Sequence, residues 1–90
     1  LELLTLEATQ AANKLDESAL EYSLAERGVA SAAENLRVSG RQYEAGVETL
    51  SDYLEAQALW QQANQTLVEA RINHFLRWIE YRKAIGAIEL

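Results

Sequence analysis

His74 is the only histidine in this 90-residue chain, so it is the first place to look for proton transfer or metal binding. Its nearest acids along a helix are Glu69 and Glu80. The Glu-x-x-His pairing that builds metal sites inside helical bundles is absent, because Arg71 stands three residues before His74. His74 is therefore expected to be a packed or edge residue. No serine has a base partner at a recognisable spacing, cysteine is absent, and no glycine-rich phosphate loop occurs. Neither catalysis nor a cofactor nor a metal is indicated. The two tryptophans and four tyrosines fall mostly on packing columns, which favours core over ligand binding. Asp52 and Glu55 remain. Three residues apart, they share one face of a helical turn. A local reading has Asp52 capping the helix while both acids complement its positive end, contributing about 0.3–1 kcal/mol each. A collective reading has copies of the turn arranged around an axis, so that the acids form a negative ring that favours cations and holds a constriction shut.

Both readings need a bend, and the stretch Tyr43 to Gln57, Y-E-A-G-V-E-T-L-S-D-Y-L-E-A-Q, supplies one. Gly46 can adopt the left-handed conformation that closes a helix without a Cβ clash. Thr49 is then the N-cap of a second helix, and Asp52 is placed to reach back to the Thr49 amide in a capping box. Leu50, Tyr53 and Leu54 begin the new apolar face. The expected organisation is one helical hairpin over residues 1–90: a helix over about 2–45, a turn over about 46–48 and a helix over about 49–86.

On either side of the bend the chain reads as uninterrupted helix. Proline is absent, alanine is abundant, and Leu, Glu, Gln and Arg fill much of the rest. The clusters of β-branched and turn residues that mark strands are missing, so the fold class is all-α. In the first helix one heptad column is mostly large: Ala8, Leu15, Tyr22, Val29, Leu36, Tyr43. A second is mostly small: Leu4, Ala11, Ser18, Ala25, Ala32, Ser39. The second helix repeats the device, with Tyr53, Trp60, Leu67, His74, Tyr81 and Ile88 beside Ala56, Ala63, Ala70, Arg77 and Ala84. Such spacing is that of a coiled coil, and the small columns let backbones approach closely. Gly28 and Gly40 lie inside the first helix at about 1 kcal/mol each relative to alanine. They either relieve crowding at a helix contact or let the helix bend. Gly86, followed by Ala87, is expected to mark the end of the second helix.

A further apolar row, Val68, Ile72, Phe75 and Ile79 with Leu76 and Trp78 beside it, spreads over a wider arc than one antiparallel partner covers. Each arm should be roughly 60 Å long at about 1.5 Å per residue, and such a pair has little core for its surface. The chain is therefore expected to associate, as an isolated segment most simply into a four-helix bundle of two chains. A net charge of −6 argues against nucleic acid and against an anionic membrane surface. No run approaches the eighteen consecutive apolar residues of a spanning helix. The chain begins at Leu1 already in helical register, and so reads as a segment of something longer.

The bend carries a resemblance. Ala33-Glu34-Asn35-Leu36, then Tyr43-Glu44-Ala45-Gly46-Val47, then Thr49-Leu50-Ser51-Asp52-Tyr53-Leu54-Glu55-Ala56-Gln57 are similar to the TolC family of outer-membrane efflux channels. Ala63, Glu69-Ala70-Arg71 and Lys83-Ala84-Ile85-Gly86 resemble that family's continuation. The resemblance implies a trimeric parent whose outer-membrane β-barrel continues as a periplasmic α-barrel of coiled helices. Each protomer of that family contains two repeats, and this chain resembles the tip hairpin of the C-terminal one. By position, Ala45, Gly46 and Val47 would form the tip that engages a periplasmic adaptor protein, itself coupled to an inner-membrane pump. Asp52 and Glu55 would lie where acidic residues narrow the closed entrance, and Tyr43 where a tyrosine ties neighbouring hairpins in the closed state. Two positions depart from the pattern: Glu48 replaces a basic residue that locks the tip in some members, and Glu55 replaces a more usual Asp.

The implied function is a passive export duct with a tip gate. The alternative from heptads alone is a coiled-coil interaction hairpin of a periplasmic adaptor or scaffold protein, with no pore.

Overall fold

The computed structural model describes residues 2–89. It contains two helices, α1 (Glu2–Glu44) and α2 (Leu50–Glu89), of 43 and 40 residues, and no strand among the described residues. The fold is all-α, two long helices joined in a helical hairpin by a short turn. Good helix formers without proline account for the uninterrupted lengths, and an acid opens each helix, Glu2 in α1 and Asp52 in α2, where it complements the positive helix end.

The chain divides into two compact units. The turn unit, Leu24–Val68, holds the end of α1, the turn and the start of α2. The terminal unit comprises Leu1–Ser23 and Glu69–Leu90. In both, most of the residues withdrawn from solvent are those of the heptad columns, and the deepest belong to the small columns. Ala25, Ser39 and Ala56 are buried in the turn unit, and Ser18 in the terminal unit. The large columns are half-buried: Leu15, Tyr22, Val29 and Leu36 on α1, and Tyr53, Leu67, His74 and Tyr81 on α2. Small side chains bury completely because a neighbouring helix can lie directly on them, whereas a large residue flanks the contact and keeps one edge in water. The aromatic core expected from the sequence is thus displaced. Trp60, Trp78 and Tyr43 are all exposed by more than a third.

Two boundary details differ from the sequence reading, and one open alternative is resolved. Helix α1 stops at Glu44, so Ala45 belongs to the turn, which runs from Ala45 to Thr49. Helix α2 continues through Gly86 to Glu89. A mid-helix glycine costs about 1 kcal/mol; with Ala84 and Ile85 before it and Ala87 and Ile88 after it, that cost is too small to stop a helix already propagating. Finally, the two glycines of α1 are not equivalent. A Cβ at Gly40 would come 3.3 Å from Tyr53 Cε1, so Gly40 does relieve crowding, while nothing lies within 4 Å of that position at Gly28.

Candidate functional site

The turn is built from backbone hydrogen bonds that glycine alone permits at low cost. Gly46 has φ of +76°, in the left-handed region where a Cβ would meet the following carbonyl. The Val47 amide donates to the Gln42 carbonyl at 2.9 Å, and the Gly46 amide to the Tyr43 carbonyl at 3.0 Å. These are the paired bonds of a Schellman motif, which satisfy carbonyls that the end of α1 would leave open. The Glu48 amide adds a bond to the same Gln42 carbonyl at 3.2 Å. Helix α2 then starts on Thr49. The Asp52 amide donates to Thr49 Oγ1 at 3.1 Å, and the Tyr53 amide donates to the Thr49 carbonyl at 3.1 Å.

Thr49 is therefore the N-cap. The expected capping box is only half formed: the Asp52 carboxylate is exposed and makes no return bond to the Thr49 amide among the described residues. Asp52 and Glu55 both sit exposed on the first turns of α2, and neither carboxylate enters an ion pair among the described residues. Two carboxylates without an ion-pair partner among the described residues thus stand near the positive end of a helix. Ala45 and Gly46 are exposed as well, and Val47 is exposed by 77% at the apex of the turn. An apolar side chain so fully in water loses the free energy that its burial would gain.

Tyr43 does not point freely outward. Its ring stacks on Tyr53, with centroids 5.4 Å apart and planes 7° from parallel. Gly40, one helical turn before Tyr43, makes room for the Tyr53 ring. A second brace escaped the sequence reading. Ser39, 4% exposed, donates from Oγ to Glu48 Oε2 at 2.6 Å. Glu48, noted in the sequence only as a departure from a basic residue, is an acceptor that ties the turn back to α1. The sole hint was the position of Ser39 as the last member of the small column before the bend. Gly46 and Thr49 lie in the turn, with Tyr43 on the helix that enters it and Asp52 and Glu55 on the helix that leaves it.

His74 lies in the terminal unit, where its Nδ1 is 3.0 Å from Ser18 Oγ, and no group of three His, Cys, Asp or Glu residues suited to a metal gathers among the described residues. No described helix is long and apolar enough to cross a membrane.

Comparison with known proteins agrees with the bend and the heptads. The family described as outer membrane efflux protein matches residues 3–87. Searches of curated proteins and of solved structures found no match. A family match that takes in both helices and the turn, on a chain with the glycine-capped hairpin read from its sequence, places this protein in the outer membrane efflux protein family.

Proposed function

We propose that the chain is the periplasmic tip hairpin of a TolC-like efflux channel, and that in the full-length protein it lines a passive export duct. No bond is made or broken; the hairpin contributes shape, charge and a hinge. The observation that carries the proposal is the pair of unpaired carboxylates, Asp52 and Glu55, exposed on the first turns of a helix that starts from a rigidly capped turn. In a trimer built around an axis, such pairs converge as a ring of like charge. A ring of this kind attracts cations and, by packing and hydrogen bonding, holds a constriction closed until the helices move apart.

The apex supports the docking half of the proposal. Ala45, Gly46 and Val47 project from the end of the hairpin, and the exposed Val47 side chain offers apolar surface for a periplasmic adaptor linked to an inner-membrane pump. On this reading Tyr43 is a contact between neighbouring hairpins in the closed state. The exposed row Ile72, Phe75, Leu76 and Ile79 supports burial of that surface against further helices in an oligomer.

The decisive experiment is in the full-length protein. Replacing Asp52→Ala together with Glu55→Ala should raise leak conductance in a planar bilayer. Unchanged conductance sinks the gate and leaves both acids with helix-end electrostatics alone.

A further inference from the structure

In the terminal unit the helices face each other against the preference of hydrophobicity. The most apolar row of α2 there, Ile72, Phe75, Leu76 and Ile79, is exposed by 41–58%. Over the same stretch, 72–79, the half-buried positions are instead Asn73, His74 and Arg77. Burial of apolar area alone would turn α2 about its axis and set Phe75 and Ile72 against α1. Something specific selects the other face.

Ser18 is 2% exposed, and its hydroxyl has one proton. The Leu15 carbonyl, 2.8 Å away, is an acceptor only, and a proton directed to it is not available to His74. At 3.0 Å from His74 Nδ1 the same oxygen can therefore only accept. That arrangement places the His74 proton on Nδ1. Tyr22, one turn after Ser18, presents its ring edge-on to the imidazole, at 89° with centroids 5.9 Å apart. Arg71, three residues before His74, donates from Nε to the Tyr22 hydroxyl at 3.2 Å and lies over the same ring, 5.9 Å from its centroid. Two residues from each helix thus interlock, and no buried polar side-chain atom among the described residues lacks a partner. Turning α2 would break all these contacts at once and strand polar groups against apolar ones.

We propose that the Ser18–His74 pair, closed by Tyr22 and Arg71, is a rotational key: it selects the face of α2 that α1 covers and so keeps the Ile72–Ile79 row outward. The role is that of a single buried polar residue in a coiled coil, which specifies one arrangement among several that packing would allow. The competing account is that close approach of the small residues sets the face unaided.

Nuclear magnetic resonance on the 90-residue chain separates the two. With labelled histidine at a pH where the imidazole is neutral, the proposal requires the Nδ1–H tautomer in the native chain; an Nε2–H imidazole overturns it. The second arm is Ser18→Ala, a mild change because alanine already occupies neighbouring positions of that column. Ring-to-ring contacts between Tyr22 and His74 should be lost, with new contacts from Tyr22 to Phe75 or Ile72 and helicity retained. Persistence of the Tyr22–His74 contacts in that variant would show that small-residue packing sets the face and would end the proposal. The tautomer measurement needs no variant, so an Nε2–H imidazole overturns the proposal even if Ser18→Ala does not fold.

Discussion

The turn unit and the terminal unit use the same two helices but hold them by contacts of different range. Around the turn, the partners are close in sequence: Val47 with Gln42, Ser39 with Glu48, Tyr43 with Tyr53. In the terminal unit, Ser18 and His74 are 56 residues apart, and Tyr22 and Arg71 are 49 apart. The first set depends on conformations that a few neighbouring residues dictate. The second depends on which faces of two long rods meet, and that is a property of the whole assembly of side chains. One end is specified by backbone geometry and the other by a polar interlock.

The sharpest way to break this comparison is Gly46→Ala. Holding a Cβ at φ of +76° should cost roughly 1–2 kcal/mol, read as a lower urea midpoint at fixed chain concentration. Wild-type stability would mean that the left-handed conformation at Gly46 does not hold the turn. Thr49→Ala comes next. Loss of the cap to the Asp52 amide should cost about 1 kcal/mol, and Thr49→Ser should recover most of it in the same melt.

The glycines of α1 then sharpen the comparison within the turn unit. Gly28→Ala has open space and should stabilise by about 1 kcal/mol through helix propensity. Gly40→Ala should gain less or nothing, because the new Cβ would press on the Tyr53 ring at 3.3 Å. Equal gains at both sites would show that Tyr53 is not seated on Gly40. Tyrosine fluorescence would report any displacement of the Tyr43–Tyr53 stack.

The smallest effect belongs to the exposed pair Glu34–Arg37, joined at 2.9 Å through Arg37 Nε. The hydrogen bond from Arg37 holds the Glu34 carboxyl below its ordinary range, and the guanidinium charge adds to it. A carboxyl whose folded pKa is depressed contributes stability above the ordinary glutamate value, and that contribution is lost as pH falls through the lower folded value. Both side chains are largely exposed, so Glu34→Gln should lower the melt at neutral pH only marginally. The difference should vanish as pH falls through the lowered folded value of Glu34, where the wild-type carboxyl is neutral as well. A clear loss of stability at neutral pH would mean that the turn unit leans on this pair.

Much of the fold was legible because heptad spacing and the Tyr43–Gln57 bend act through local rules. Alternation of large and small columns named the inward residues, and Gly46 and Thr49 named the cap at each side of the turn. Less legible were the contacts made by residues that local rules leave undecided. Glu48 had no sequence reason to accept from Ser39, and Asp52 left its half of the capping box unmade because its carboxylate remains in water. Gly86 read as a terminator, yet a glycine ends a helix only where the chain turns left-handed after it, and only Gly46 among the described glycines has a positive φ.

By itself the sequence determined two helices, the site of their reversal and the columns along which they meet, because propensity, capping and periodicity operate over one or two turns of chain. The tertiary structure decided the rest. It made the buried seam one of alanine and serine and left the tryptophans partly in water, because helix axes draw together where side chains are smallest. It also turned His74 rather than Phe75 toward α1, a choice between faces that a wide apolar arc leaves open and that polar partners on another helix must settle.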